Sequence, residues 1–381
     1  MKTLCAAAAA ITLLLGIGVY AQARQKGGGD ITGEYELVTG WPQNWCGPGY
    51  IIGSTAGIWA ESPDRVLIFA RGCLPELENP GALVPTRNAS GFDLSQKDPA
   101  RHPRWDHLLN IVDRNGRLVE SWEQHNKLFV RPHRIIVSPY DADRHVWLID
   151  DGAHALFKFT RDGKQLVQTI GTPRVPGNDE THFARPTDIA FLPDGTFFVS
   201  DGYINTRVVK FDRNGKYVTS WGMRGEAGKE TRPYYMNTVH AIVIDKKNRL
   251  YVSDRANHRL QIFDENGKFL EAWPGVPLPY SLLMTDDQYL WSASGQTSKF
   301  TKYDLNGRLL AAWGTFGIIP GGFWGVHQFH VDSENNLYTA DVHVGRPQKF
   351  RPKANLSAAE RARVITAPTR NVRTVTTSSS N

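Results

Sequence analysis

The sequence predicts an all-β protein folded as a six-bladed β-propeller, because two short phrases recur along the chain. The first phrase joins two strands through an Asn-Gly or Asp-Gly turn, which is typical of a β-hairpin. It spans residues 112–122, 159–171, 211–222, 263–274 and 303–314. The second phrase, such as FFVSDGY at residues 197–203, has six copies when its degenerate versions are counted. These copies stand roughly 40–55 residues apart, except across one longer interval, and that is the spacing of propeller blades.

Alignment of the six copies defines one register position per blade near the end of the second phrase. These positions are Ala70, Asp150, Asp201, Asp254, Ala293 and Asp341. Each unit is predicted to hold four short strands, since helical periodicity is almost absent. A closed ring removes most exposed strand edges, whereas a linear solenoid would need polar caps that the sequence does not show. The last copy lacks its outermost strand, and we expect EYELVT at residues 34–39 to supply it and close the ring.

The chain divides into three segments, the second of which carries an inserted loop. Residues 1–23 have the charged start, the apolar run and the Ala21-Gln22-Ala23 cleavage site of a secretory signal peptide. The propeller is expected at residues 34–351, with a polar, proline-rich surface loop inserted at about 75–103. Residues 352–381 form a basic tail rich in Ser and Thr, which we expect to be disordered. No stretch after the signal is long and apolar enough to cross a membrane, so we expect a secreted or periplasmic protein without stable membrane insertion.

Charge and cysteine content narrow the class of protein further. The formal net charge of +6 comes from the two ends of the chain, and the body between them is close to neutral. A nucleic-acid-binding protein needs a basic face on its folded domain, so we expect no nucleic-acid partner. Cys5 would leave with the signal peptide, and in an oxidising compartment the remaining Cys46 and Cys73 suggest one disulfide.

Three histidines lie at the predicted start of the innermost strand in alternate blades. His240 and His327 stand fourteen residues before their register positions, and a slightly longer turn puts His133 seventeen residues before its own. The other copies carry Ala56, Thr187 and Pro279. A closed ring would bring the three imidazoles together on one face, and three neutral imidazoles with one open position form the ligand set of a catalytic zinc. The alternative is that the histidines only fill the central channel, hydrogen-bonded to backbone or water.

Arg71, Tyr203 and Arg255 come just after the register position of their blades, so we expect them on the same face as the histidines. An arginine there can bind a carboxylate through two hydrogen bonds. Tyr203 could serve as a phenolate base, since neighbouring positive charge favours the ionised phenol. The alternative is a surface ion pair for each arginine and a packed ring for the tyrosine. The aspartates at the register position are interpreted as turn-capping residues rather than catalytic acids.

From about residue 41 to residue 350 the chain resembles the lyase domain of the peptidylglycine α-amidating enzymes, a six-bladed propeller of the NHL-repeat type. The matching segments are IFARG at Arg71, RPH at His133, HFARPTDIAF with FFVSDGYINTRVVKF through Tyr203, VSDRANHRLQIF at Arg255, and the VH pairs at His240 and His327. The resemblance implies cleavage of a peptidyl-α-hydroxyglycine into a peptide amide and glyoxylate. It also implies that the three histidines bind Zn²⁺, that Tyr203 is the base, and that Arg71 and Arg255 hold the substrate.

The family also has a structural calcium, to which an acidic residue directly after the third zinc histidine contributes. Gln328 stands at that position here, so Ca²⁺ is in question, although backbone carbonyls near Ile58 and Ile135 remain as ligands. We therefore expect a monomeric zinc lyase acting on a peptidyl- or N-acyl-α-hydroxyglycine, or on a related ureido carbinolamide. Two other functions stay open. One is a lactonase-like propeller hydrolase, which typically uses a carboxylate-rich calcium-type site, and the other is an NHL propeller that binds a ligand without catalysis.

Overall fold

The computed structural model describes residues 31–76 and 103–367, and these residues form six four-stranded antiparallel sheets around a central channel. The six-bladed β-propeller prediction is confirmed. The innermost strands of blades 1 to 6 are Thr55–Ser62, Pro132–Val137, Pro186–Phe191, Val239–Ile244, Pro279–Met284 and Val326–Val331. The second strands are Arg65–Ala70, Val146–Asp150, Phe197–Asp201, Leu250–Asp254, Leu290–Ser294 and Leu337–Asp341. The third strands are Leu109–Val112, Ala155–Phe159, Arg207–Phe211, Arg259–Phe263, Phe300–Tyr303 and Arg346–Pro352. The outermost strands are Leu118–Ser121, Leu166–Ile170, Tyr217–Trp221, Phe269–Pro274, Leu309–Trp313 and Tyr35–Leu37.

The ring is closed by the N-terminal strand, as the sequence predicts. Tyr35–Leu37 pairs antiparallel with Arg346–Pro352 and so completes blade 6, with Tyr35 opposite Pro352. The innermost strand of blade 6 also contacts the innermost strand of blade 1. The first and the last strand of the described residues therefore lie in one blade, and a ring closed in this way leaves only short, protected edges.

The predicted hairpins owe their turns to a local side-chain pattern. In blade 3 the Asp212 carboxylate accepts hydrogen bonds from the backbone N–H of Asn214 and of Lys216. Gly215 has φ of +84°, a conformation that glycine adopts without a steric penalty. The same carboxylate contacts recur at Asp113, Asp264 and Asp304. This pattern explains why the hairpin phrase marks blades 1, 3, 4 and 5 so clearly.

The core lies between neighbouring blades, because each sheet buries both of its faces. Trp147 of blade 2 packs on Phe197 of blade 3, with ring centroids 5.4 Å apart. Trp221 of blade 3 packs in the same way on Phe263 of blade 4, at 5.8 Å. Removing a buried aromatic ring of this kind typically costs about 3–5 kcal/mol, so these contacts fix the blades relative to one another.

Every innermost strand carries a β-bulge at its second residue. The pairing register with the second strand slips there in all six blades. The bulged residues are Ala56, His133, Thr187, His240, Tyr280 and His327. A bulge of this kind redirects a side chain and is common beside functional sites. One detail of the sequence alignment is wrong: in blade 5 the register position is Ser294 rather than Ala293, because Ser294 pairs with Pro279. The residue equivalent to the histidines in that blade is Tyr280, and not Pro279.

Part of the segment expected to be disordered is folded. Ser357 caps a short helix, Ala358–Arg361, in a capping box with Glu360. Val364 and Ile365 are buried against blades 5 and 6, and the Ile365 N–H donates to the Tyr35 hydroxyl. The expectation of disorder is therefore wrong for residues 352–367, where this apolar pair finds a site on the propeller. The predicted signal peptide, nearly all of the predicted loop and the end of the tail fall at residues 1–30, 77–102 and 368–381, outside the described residues.

The predicted disulfide is confirmed. Cys46 and Cys73 are bonded, with their Cα atoms 5.7 Å apart. Cys73 begins a strand, Cys73–Pro75, that pairs with Tyr50–Ile52 beside blade 1. Two more short strands, Met223–Arg224 and Tyr235–Met236, pair between blades 3 and 4, and 3₁₀ turns lie at Glu123–Leu128 and Arg255–Asn257. Within the described residues no helix has the length and apolar character needed to cross a bilayer.

Candidate metal centre

The three predicted ligand histidines converge at one end of the channel. His133, His240 and His327 are 0%, 0% and 2% exposed, and one nitrogen of each lies within 4.8 Å of the others. Their ring centroids are 4.4 to 5.2 Å apart. Each is the bulged residue of its strand, so the repeated bulge is what turns the three side chains toward the axis. We call this end of the ring the histidine face.

Hydrogen bonds fix the orientation of two of these rings. The Nδ1–H of His240 donates to the Tyr280 carbonyl at 2.6 Å, and that of His327 donates to the Ala56 carbonyl at 2.8 Å. This tautomer leaves each Nε2 with a lone pair facing the cluster, which is how metal-binding histidines are usually held. The buried Nε2 of His327 has no hydrogen-bond partner within the described part of the chain. Two rings are therefore oriented as ligands.

Electrostatics keep the three imidazoles neutral. Burial lowers the pKa of His133, His240 and His327 well below the usual value, and nearby positive charge, from Arg134 in all three cases, lowers it further. A metal ion needs the neutral form, because only that form offers a lone pair. The cluster is thus ready to accept a cation without first losing protons at neutral pH.

Tyr203 places its hydroxyl group directly over the imidazoles. The oxygen lies 2.9 Å from Nε2 of His240 and 3.2 Å from Nε2 of His133. Tyr203 reaches this position because the chain passes very close to blade 4 at Gly202. A Cβ atom on Gly202 would lie 1.5 Å from the carbonyl oxygen of Val239, so no other residue fits there without moving the backbone.

The two predicted arginines also lie on the histidine face. The guanidinium carbon of Arg255 is 5.2 Å from the centroid of the Tyr203 ring and 4.8 Å from that of Tyr280. Arg71 is 1% exposed and donates from Nε to the Pro132 carbonyl at 3.2 Å. Burial, followed by the nearby charge of Arg131, lowers the pKa of Arg71 to about 10, so it remains a cation at neutral pH. All six predicted site residues are therefore brought together.

Three further charged residues beside Tyr203 were missed by the sequence analysis. Asp151 follows the register position of blade 2, as Arg71 and Arg255 follow theirs in blades 1 and 4. Arg131 and Arg185 each directly precede the innermost strand of their blades. The repeat register was the signal that could have found them, because it assigns the end of the second strand and the approach to the first strand to one face.

The aspartates at the register positions cap turns, as the sequence predicts. Asp150 accepts from the backbone N–H of Val130, Arg131 and Ala153 at 2.7 to 2.9 Å. Asp201, Asp254 and Asp341 likewise accept from backbone N–H groups just before an innermost strand. These carboxylates are therefore engaged in hydrogen bonds that hold the backbone just before each innermost strand.

Comparison with known proteins agrees with this architecture. An NHL-repeat model matches residues 236–263. The chain is 31% identical over 248 residues to the rat peptidylglycine alpha-amidating monooxygenase, covering 63% of this chain and 23% of that protein. It is 32% identical over 156 residues to a probable peptidyl-alpha-hydroxyglycine alpha-amidating lyase of Caenorhabditis elegans, covering 41% and 42%. The chain is homologous to the peptidyl-α-hydroxyglycine α-amidating lyases. It spans less than half the length of these relatives.

Among solved structures, this chain resembles a gluconolactonase of Xanthomonas campestris. The TM-score is 0.50 at 14% identity, covering 85% of this chain and 92% of that one. A Bacteroides thetaiotaomicron protein of unknown function gives a TM-score of 0.52 at 12% identity, covering 84% and 73%. At such low identity the likeness concerns the propeller fold alone.

A polar layer closes the channel beneath the histidines. We call it the channel floor, and it consists of Arg134, Asp188 and Gln328, each of which directly follows a bulged residue. Arg134 Nε lies 3.4 Å from Asp188 Oδ1, and its Nη1 donates to Ser281 Oγ at 3.0 Å. The other Asp188 oxygen accepts from the Ile242 N–H at 3.2 Å.

The channel floor does not fit the calcium site of the amidating lyases. The Gln328 Oε1 accepts from the N–H of Ile58 and of Ile135, at 3.0 and 3.1 Å, while its Nε2 donates to the Ile135 carbonyl at 2.6 Å. A carbonyl that a calcium ion would use is thus already engaged by a hydrogen-bond donor, and the side chain at residue 328 is neutral. Calcium is bound by several oxygen ligands, commonly carboxylates, so this donor set does not suit it.

A cavity opens on the face of the ring opposite the histidines. Its volume is about 570 Å³, and Trp59, Tyr140 and His330 are among its lining residues. Arg134, Asp188 and Gln328 form its inner end, so the channel floor separates it from the histidines. The chemistry of the three imidazoles, the phenol and the arginines belongs to the histidine face alone.

Proposed function

We propose that this protein is a lyase that breaks the C–N bond of a peptidyl- or N-acyl-α-hydroxyglycine, giving an amide and glyoxylate. The observation that carries the proposal is the position of the Tyr203 hydroxyl over a buried cluster of three neutral imidazoles. Homology to proteins named as α-amidating lyases supports the same reaction.

His133, His240 and His327 would hold a zinc ion, because three neutral imidazoles with an open position form its catalytic ligand set. When bound, zinc would supply Lewis acidity toward a substrate oxygen. The described residues fit this role: the three side chains are buried, and Nδ1 hydrogen bonds orient His240 and His327. The remaining steps depend on the surrounding side chains.

Tyr203, as the phenolate, would remove the proton from the substrate hydroxyl group. Guanidinium carbons of Arg131, Arg185 and Arg255 lie 4.5 to 5.6 Å from the centroid of its ring, within cation–π range. As the hydroxyl oxygen forms the aldehyde carbonyl of glyoxylate, the C–N bond breaks and its electron pair passes to nitrogen. The proton taken by Tyr203 then completes the amide, so the reaction needs no other reactant.

Arg71 and Arg255 would bind the carboxylate of the α-hydroxyglycine unit. Both lie on the histidine face, and Arg71 is too deeply buried to be solvated freely. An arginine offers a carboxylate two parallel hydrogen bonds, which fixes the orientation of the substrate as well as its position. The carbon atom that carries the hydroxyl group would then lie close to Tyr203.

The test is the release of glyoxylate from N-benzoyl-α-hydroxyglycine by the purified zinc-loaded protein. The wild type should release glyoxylate and benzamide in equal amounts, and Tyr203→Phe should lower kcat by about 10²–10⁴, the usual contribution of a general base. Tyr217→Phe is the matched control, since this tyrosine lies on the outer strand of blade 3 and should leave the rate unchanged. Absence of glyoxylate, or a Tyr203→Phe variant as active as the wild type, would contradict the proposal.

A lactonase-like hydrolase and a non-catalytic binding propeller remain as alternatives. The ligand set favours the lyase, because the cluster on the histidine face consists of histidines rather than the carboxylates typical of lactonase sites. We also propose that the protein works outside the cytosol, as a monomer. The Cys46–Cys73 disulfide supports the compartment, since disulfides persist in oxidising surroundings.

A further inference from the structure

Asp151 joins two arginines into one cluster beside Tyr203. Arg185 donates from both Nε and Nη2 to Oδ2 of Asp151, at 2.8 and 2.6 Å. Arg131 Nη1 lies 3.4 Å from the same oxygen. The Asp151 side chain is fully buried, whereas those of Arg131 and Arg185 are 22% and 28% exposed. We call these three residues the Asp151 cluster.

The two arginines of the cluster are not saturated by Asp151. The Nε of Arg131 is buried and has no hydrogen-bond partner within the described residues. Nη1 of Arg185 is not used in the contacts with Asp151, which involve Nε and Nη2. Both guanidinium groups face the Tyr203 ring, with their carbons 5.6 and 4.5 Å from its centroid. Donors therefore remain for a ligand bound next to the phenol.

The charge of the histidine face exceeds what one carboxylate would balance. Arg71, Arg131, Arg185 and Arg255 bring four positive charges, and Asp151 opposes them with one. Asp150, whose carboxylate is held by three backbone N–H groups, brings a second negative charge. The carboxylate of an α-hydroxyglycine unit would offset one further charge and leave the face cationic, even before the charge of a metal ion is added.

Arg185 also occupies a backbone position that suits a different residue. Its φ is +67°, a left-handed conformation that is uncommon for a bulky side chain. Blade 6 carries Gly325, with φ of +81°, at the equivalent position directly before its innermost strand. Thr238 and Leu278, at the equivalent positions of blades 4 and 5, also have positive φ, so this conformation belongs to the repeat and Arg185 adopts it as they do.

We propose that Arg131 and Arg185, held in place by Asp151, form a second anion-binding subsite on the histidine face. The substrate is then an N-acyl-α-hydroxyglycine whose acyl group carries its own carboxylate. The assignment of the substrate rests on the proposed lyase function. The anion subsite itself does not, since it follows from the arginines and their unused donors.

Binding of two stable analogues tests the subsite without any turnover. N-succinylglycine carries a carboxylate on its acyl group, whereas N-benzoylglycine does not, and isothermal calorimetry on the purified protein gives both Kd values. N-succinylglycine should bind about tenfold more tightly, a difference of about 1.4 kcal/mol, because the two arginines would donate charge-assisted hydrogen bonds to its second carboxylate. Equal Kd values for the two analogues would overturn the proposal.

Matched variants locate the effect. Arg185→Met and Arg131→Met should each reduce the preference for N-succinylglycine while leaving the Kd of N-benzoylglycine within about twofold, because only the first analogue reaches these donors. Arg213→Met removes an exposed arginine of an outer hairpin and should change neither value. Arg131 has only one long contact with Asp151, so its variant should fold even if the Arg185 variant does not. A preference that survives in Arg131→Met and in a folded Arg185→Met would overturn the assignment of these residues.

Turnover separates this proposal from the proposed function. If N-succinyl-α-hydroxyglycine has the higher kcat/KM and Arg131→Met removes the difference, both proposals hold. If neither this compound nor its N-benzoyl counterpart releases glyoxylate, the lyase function fails, and the calorimetric preference still decides the subsite. If both are cleaved with equal kcat/KM, the lyase function stands and the inference about the acyl group is wrong.

Discussion

The second residue of each innermost strand determines the chemistry of the channel. In blades 2, 4 and 6 it is a histidine, and in the other blades it is Ala56, Thr187 or Tyr280. The alternation was visible in the sequence, because the flanking phrases RPH, TVH and GVH are alike. The position of Tyr280 was not, because blade 5 has Ser294 where four of the copies have aspartate, and the alignment slipped by one residue. When a short repeat lacks the aspartate at its register position, too few residues remain to determine its alignment from sequence.

Removal of one histidine should abolish metal binding. We expect about one zinc per chain in the purified wild type by elemental analysis, and none in His240→Ala, because two imidazoles do not complete a catalytic zinc site. His258→Ala is the control, since its ring serves the backbone by accepting a hydrogen bond from the Leu278 N–H. Zinc retained by His240→Ala would show that the metal lies elsewhere.

Gly202→Ala should disturb both stability and the placement of Tyr203. The added methyl group would lie 1.5 Å from the Val239 carbonyl oxygen, so the backbone must shift, and overpacking of this kind costs about 1–3 kcal/mol. Thermal unfolding should show a lowered Tm, and the rate of glyoxylate release should fall with it. Gly228→Ala places its methyl group in open space and should lower Tm less. Equal effects of the two substitutions would contradict the close contact.

The protonation of Asp151 should appear in the pH dependence of folding stability. Burial raises the pKa of its carboxyl group to about 7, although Arg131 and Arg71 oppose this. The value is about 4 in an unfolded chain, so the stabilising contribution is complete below about pH 4 and is lost as the pH rises through about 7. The free energy of unfolding of the wild type relative to Asp151→Asn should therefore fall between pH 4 and pH 8 in urea titrations. A difference that does not vary with pH would contradict the raised pKa.

At the scale of elements, local patterns were predictable and packing partners were not. The Asn-Gly and Asp-Gly turns, the closing strand at Tyr35–Leu37 and the disulfide all follow from short patterns that the structure bears out. The fold of residues 352–367 was missed, because Val364 and Ile365 are a single apolar pair in a polar segment. This pair becomes ordered because it packs against buried residues of blades 5 and 6, and the sequence does not reveal that contact.

The Cys46–Cys73 disulfide should contribute to the stability of blade 1. The bond closes a loop of 27 residues, for which the loss of chain entropy in the unfolded state predicts about 3.5 kcal/mol. Cys46→Ser with Cys73→Ser should lower the free energy of unfolding by roughly that amount in denaturant titrations. Reduction of the wild type should have a matching effect, and no effect of dithiothreitol on the double variant is the control. A double variant as stable as the oxidised wild type would contradict this contribution.

At the scale of the whole molecule, the channel floor connects all six blades. Gln328 of blade 6 bonds to the backbone of Ile58 and Ile135, in blades 1 and 2. Arg134 of blade 2 reaches Asp188 of blade 3 and Ser281 of blade 5, and Asp188 continues to the backbone of blade 4. No sequence pattern predicts this network, because half of its partners are backbone atoms from distant parts of the chain.

The network should make the stability of the propeller independent of calcium. The Tm in excess EGTA and in millimolar CaCl₂ should be the same, whereas Arg134→Met should lower the free energy of unfolding by about 3 kcal/mol by leaving Asp188 buried without its ion-pair partner. Adding Asp188→Asn to that variant should recover part of the loss. A rise in Tm with calcium would show that a cation still binds in the channel.

The channel floor also determines which face of the ring gives access to the histidines. Arg134, Asp188 and Gln328 lie across the channel, between the histidine face and the cavity on the opposite face. For the proposed lyase reaction, the substrate would enter and both products would leave on the histidine face, beside the arginines. The cavity on the opposite face would take no part in these steps. Substitutions of its lining residues should therefore leave the choice of substrate unchanged.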